Sequence, residues 1–88
     1  MELELEMNWR LLLRMLGADP EHAVRVGITD TSSFCEALLN GRILCVRGVG
    51  KRGYRMLCEY AEYPEPVWRG DKMLLTPGQV MDQRIKGR

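Results

Sequence analysis

One histidine, His22, and three cysteines, Cys35, Cys45 and Cys58, are the only imidazole and thiolate ligands this 88-residue chain could offer a metal. The cysteines are odd in number and stand ten and thirteen residues apart, which fits neither a zinc motif nor a disulfide framework. They read as small buried hydrophobes in a reducing compartment, and no metal or cofactor is expected. No nucleophile stands beside a base in a recognisable motif, and there is no paired carboxylate site, so an enzyme is not expected either. Long apolar runs are also missing. Nothing approaches the roughly 18 residues of a membrane helix, so no membrane partner is expected. The start MELELEMNWR is acidic where a secretory signal would be basic, which makes the cytoplasm the expected compartment.

What remains is an ordinary globular composition, 45% apolar and 28% charged. A chain of this length supports one compact core, so residues 1–88 are read as a single domain. The net charge of +1 conceals a division along the chain. Residues 41–58 carry Arg42, Arg47, Lys51, Arg52 and Arg55 and no acid, whereas the rest holds eight bases against twelve acids. A basic island in an otherwise acidic small protein supplies the focused potential that a phosphate-binding surface requires. A solvated basic face without a ligand is the competing reading.

Caps and glycine stops divide the chain into short helices. Residues 1–7 alternate apolar and acidic and fit either a backward helix extension or an edge strand. Asn8 caps a helix through WRLLLRML to Gly17, with Trp9, Leu12, Leu13 and Leu16 on one face. Leu11 and Met15 widen that stripe beyond the need of a small core, which marks Trp9, Leu11 and Met15 as a candidate interface for a second copy or a protein partner. Asp19 and Pro20 start a second helix that Gly27 stops, with His22 as an exposed polar residue in its first turn. Ser32 or Ser33 caps a third, with Phe34, Leu38 and Cys35 as inward candidates and Asn40-Gly41 as its terminator.

The stretch RILCVRGVGKRGYRML, Arg42 to Leu57, is the most informative. Ile43, Leu44 and Val46 suit a short helix, Gly48-Val49-Gly50 a turn with Val49 inward, and Lys51 to Ala61 a longer helix burying Tyr54, Leu57, Cys58 and Ala61. The first N–H groups of that helix lack intrahelical partners, and its dipole adds partial positive charge there. An anion can settle at such an end, and the glycines are expected to supply left-handed geometry and close backbone approach. Beyond Ala61, PVW and KMLL flank Gly70-Asp71 as a two-residue hairpin turn, and Thr76-Pro77 starts a last helix ending near Lys86. The expected fold is therefore mainly α. It has four to five short helices over residues 8–61, a helix-hairpin-helix at 42–61, and a C-terminal appendage at 62–88 with room for a small strand pair.

From Asp19 to Ala61, about half the chain, the order AVRVGIT, CEALL and ILCVRGVGKRGYRML resembles the helix-hairpin-helix modules. The likeness is greatest to the C-terminal domain of the bacterial RNA polymerase alpha subunit. That resemblance implies a transcription-related module contacting double-stranded DNA through Gly48, Gly50, Lys51, Arg52 and Gly53. Arg47 and Arg55 of the basic island extend the surface. The positions where the family carries minor-groove residues are Ala18 and Glu21 here, which favours the alternative, a protein-interaction module on the same scaffold.

Overall fold

The computed structural model describes residues 8–86, so the alternating residues 1–7 lie outside the described part. Most of the α-helices begin where a side chain can receive an orphan N–H. Asn8 Oδ1 accepts from the Leu11 N–H at 3.2 Å and opens α1, Trp9–Met15. Asp19 accepts from the Glu21 N–H at 3.0 Å and opens α2, Pro20–Arg25, with proline in its first turn where no donor is lost. α3, Thr31–Asn40, is capped by Asp30 rather than by Ser32 or Ser33. Ser33 is the third residue of the helix. Its N–H donates to the Asp30 carboxylate at 2.8 Å, while its hydroxyl oxygen accepts from the Asp30 N–H at 3.0 Å. The expectation stopped too late because a serine followed by an apolar run suits both ends of a capping box. Gly41, at φ 85°, ends α3 in the left-handed region.

The predicted short helix after Gly41 is a single 3-10 turn, Arg42–Cys45, which leads through an extended Val46 into the glycine turn. α4, Lys51–Tyr60, follows. β1, Val67–Arg69, and β2, Lys72–Leu75, then pair antiparallel across Gly70-Asp71, with Arg69 opposite Lys72. α5, Pro77–Lys86, starts at Thr76, whose hydroxyl accepts from the Gln79 N–H while the Gln79 side chain accepts from the Thr76 N–H. The fold is mainly α, with five helices and one small hairpin among the described residues.

One hydrophobic cluster joins these elements. Leu13, Phe34, Leu38, Ile43 and Tyr54 are fully buried, and each large apolar side chain removed from water contributes about 1.5–3 kcal/mol. The Trp9 ring stacks on Phe34 at 6.1 Å. Tyr54 brings a polar atom into this core and satisfies it, its hydroxyl donating to the Leu38 carbonyl at 2.6 Å. Trp68 of β1 meets Tyr54 edge-on at 6.4 Å, so the C-terminal hairpin packs on the helical core and does not hang from it as an appendage. The cysteines divide: Cys58 is buried, Cys35 half-buried, and Cys45 exposed, because the 3-10 turn aims Ile43 rather than Cys45 inward. Among the described residues no helix is long and apolar enough to cross a membrane.

Candidate nucleic-acid interface

The turn between the 3-10 segment and α4 is held from both sides. Val49 is buried beneath it and donates its N–H to the Val46 carbonyl at 3.1 Å. Arg47 has both backbone groups engaged by the start of α2: its N–H donates to His22 Nδ1 at 2.9 Å, and its carbonyl accepts the Asp19 N–H at 3.1 Å. His22 is thus half-buried and part of the scaffold, where the sequence suggested an exposed polar residue. The donor facing Nδ1 assigns the ring proton to Nε2.

The two glycines of Gly48-Val49-Gly50 do different work. Gly48 sits at φ 93°, and a Cβ there would lie 2.7 Å from the Ala18 Cα and 2.8 Å from the Gly17 carbonyl oxygen. It is glycine because the turn crosses against the end of α1. Gly50, expected to need left-handed geometry, is extended at φ −106° and ψ −168°, and its Cβ position has no atom within 4 Å. Its backbone carries no such strain, and its open face leaves the start of α4 bare. Gly53 faces another way: a Cβ there would stand 3.3 Å from Leu16 Cδ1, so the glycine leaves room for the Leu16 side chain at the end of α1.

Gly50 offers α4 no side-chain cap. The Tyr54 N–H is the first of the turn to reach a carbonyl, that of Gly50 at 2.9 Å. The N–H groups of Lys51, Arg52 and Gly53 receive no acceptor among the described residues, and with the helix dipole they favour an anion. Arg47, Lys51, Arg52 and Arg55 are all exposed near this end.

The cations are unequally free. Arg42 turns away and donates to the Val26 carbonyl at 2.8 Å, capping the C-terminus of α2. Lys51 donates to the Gly70 carbonyl at 2.7 Å and lies 5.0 Å over the Trp68 ring. Arg55 pairs with Glu65 at 3.2 Å, and both partners are more than half exposed, so the pair adds little stability and exchanges readily with other ions. The side chains of Arg47 and Arg52 make no hydrogen bond or ion pair among the described residues. Between the start of α4 and β1 lies a cleft of 320 Å³, lined by Lys51, Arg52, Arg55, Glu65, Pro66 and Trp68. The sequence carried no signal for Glu65, Pro66 and Trp68, because only the return of the C-terminal hairpin brings them here.

Along α1 and α4, the expected interface changes membership. Trp9 is buried at 6% and belongs to the core, so it is withdrawn from that interface. Leu11 and Met15 stand 51% and 72% exposed. Met56 and Tyr60 of α4, at 51% and 62%, join them. Leu12, Met15, Leu16, Met56, Leu57 and Tyr60 line a groove of 190 Å³ between α1 and α4. Comparison with protein-family models, curated proteins and solved structures finds no match.

Proposed function

We propose that this protein is a small non-enzymatic DNA-binding module that grips the phosphate backbone of a duplex at the start of α4, in the manner of the helix-hairpin-helix proteins it resembles. The bare first turn of α4 carries the reading: three uncapped N–H groups beside an open Gly50, ringed by the exposed cations Arg47, Lys51, Arg52 and Arg55. Arg47 and Arg52 supply charge to phosphates directly. Lys51 and Arg55 can contribute while they hold the hairpin. Contacts of this kind carry no base information, so binding is weak, sequence-tolerant and salt-sensitive. A cytoplasmic, transcription-related setting is the context that fits such a module.

The test is fluorescence anisotropy with a short duplex at several salt concentrations. Wild type should bind at low salt, and the slope of log affinity against log salt should correspond to only a few phosphates at about 0.9 per contact. Arg47→Ala with Arg52→Ala should flatten that slope by about two contacts and leave the fold intact. Absence of binding at low salt, or an unchanged slope in the double variant, would sink the proposal. The exposed Leu11, Met15, Met56 and Tyr60 favour a second reading, a protein-interaction module on the same scaffold.

A further inference from the structure

The two-residue turn of the C-terminal hairpin is flanked by two bases. Arg69 ends β1, Lys72 opens β2, and the two stand directly opposite each other across the strand pair. Both are exposed, and neither side chain has a hydrogen bond or ion pair among the described residues. Like charges placed opposite each other weaken a strand pair, so the hairpin gains no stability from this arrangement. Alternation along the strands puts the neighbouring pair, Trp68 and Met73, on the face packed against the core, and Arg69 and Lys72 on the other. Asp71, the acid of the turn, forms an ion pair with neither base.

The turn between these bases is tied to the basic island. The Gly70 carbonyl accepts from the Lys51 ammonium at 2.7 Å, and Trp68, the residue before Arg69, packs edge-on against the buried Tyr54. Arg69 and Lys72 therefore flank a point that lies within one lysine side chain of the bare start of α4. We infer that the C-terminal hairpin is a second arm of the phosphate-binding surface, in which Arg69 and Lys72 hold phosphates of the duplex backbone next to those held at the start of α4. The inference rests on the DNA reading proposed above and extends it to a part of the chain outside the helix-hairpin-helix. Two groups of cations on two elements suit a polyanion. A single small anion is met by one group, whereas a nucleic-acid strand carries a charge at every nucleotide and meets both. The anchoring of the hairpin through Lys51 and Trp68 holds its bases in place before the ligand arrives, which lowers the ordering cost of binding.

Fluorescence anisotropy with a short duplex, read at about 50 and 200 mM salt, tests it. Wild type is compared with Arg69→Ala plus Lys72→Ala, with Arg47→Ala plus Arg52→Ala, and with a charge-matched control, Arg25→Ala plus Arg84→Ala, whose exposed bases lie on α2 and α5. At about 0.9 per phosphate, two lost contacts mean that wild type should lose about tenfold more affinity over this salt range than the hairpin variant does. The control should keep the wild-type salt dependence. The removed pair is exposed and self-repelling, so the hairpin variant should melt at or above the wild-type temperature, which separates lost contacts from lost folding. Failure of wild type to bind at low salt would overturn the DNA reading and this inference together. Wild-type salt dependence in the hairpin variant, beside a reduced one in Arg47→Ala plus Arg52→Ala, would overturn this inference alone. A control that flattens the salt dependence as much as the hairpin variant would also overturn it, since net charge and not position would then set the binding. A reduction confined to the hairpin variant would overturn the surface shared with α4.

Discussion

The Lys51 ammonium donates to the Gly70 carbonyl at 2.7 Å, so the first residue of α4 reaches across to close the turn of the C-terminal hairpin. The same ammonium lies 5.0 Å over the ring of Trp68, which itself packs edge-on against the buried Tyr54. The basic island and the C-terminal hairpin are therefore one mechanical unit. A cation that the charge pattern assigned wholly to a ligand also serves the fold.

That division predicts different behaviour for neighbouring bases. Lys51→Ala removes a hydrogen bond and a ring contact and should lower unfolding stability by about 0.5–1.5 kcal/mol. Arg52→Ala touches nothing comparable and should stay within about 0.5 kcal/mol of wild type. Urea denaturation of the two variants checks this. Equal stabilities would show that the Lys51 bridge contributes nothing in solution.

The glycines of the turn separate in the same way. Gly48→Ala combines a positive φ with a backbone collision and should destabilise by about 2 kcal/mol or more. Gly50→Ala adds a methyl group to open space at a φ and ψ that alanine adopts, so its stability should remain within about 1 kcal/mol. The same methyl group stands beside the bare N–H groups of α4 and should weaken duplex binding. Gly50→Ala is thus the informative substitution, and a folded variant that binds DNA like wild type would count against backbone capture of phosphate at this end.

Local chemistry made most of the elements legible. Asn8, Asp19, Gly27, Gly41 and Thr76-Pro77 mark their helix ends by short-range hydrogen bonding or backbone freedom, and Gly70-Asp71 marks the hairpin turn. These signals depend on a few adjacent residues. Long-range partners left no such trace. Nothing beside His22 reveals that its ring will accept from Arg47, twenty-five residues on, and nothing in Lys51 announces Gly70. Trp9 shows the limit of periodicity: a helical stripe gives the apolar face, but only packing against Phe34 decides which of its members are covered. Gly48 and Gly50 look alike in sequence and differ because only Gly48 lies against the backbone of Gly17-Ala18.

The buried hydroxyl and thiol of α4 predict an alkaline weakness. Burial, with a smaller contribution from the charge of Glu65, pushes the Cys58 thiol up to about 11. Burial, with a smaller contribution from Cys58, raises the Tyr54 hydroxyl well above its ordinary value. Both groups keep their protons in the folded protein at pH values where the unfolded chain has lost them, near about 8.5 for a thiol and about 10 for a phenol. Their contribution to stability is complete below those unfolded values and is lost as pH rises towards the folded ones. The sign is reversed at the acid end. The Ser33 backbone N–H, and then the Ser33 hydroxyl, hold the Asp30 carboxyl below its ordinary value, so that contribution is lost as pH falls through the folded value. Denaturation midpoints should accordingly be level near neutrality, begin to fall above about pH 8.5, and fall more steeply above about pH 10 as Tyr54 joins. Cys58→Ala removes the earlier titration while keeping the tyrosine, so its decline should start about a pH unit later even if the variant is less stable throughout. A decline in Cys58→Ala that begins at the same pH as wild type would show that the thiol does not carry the first phase.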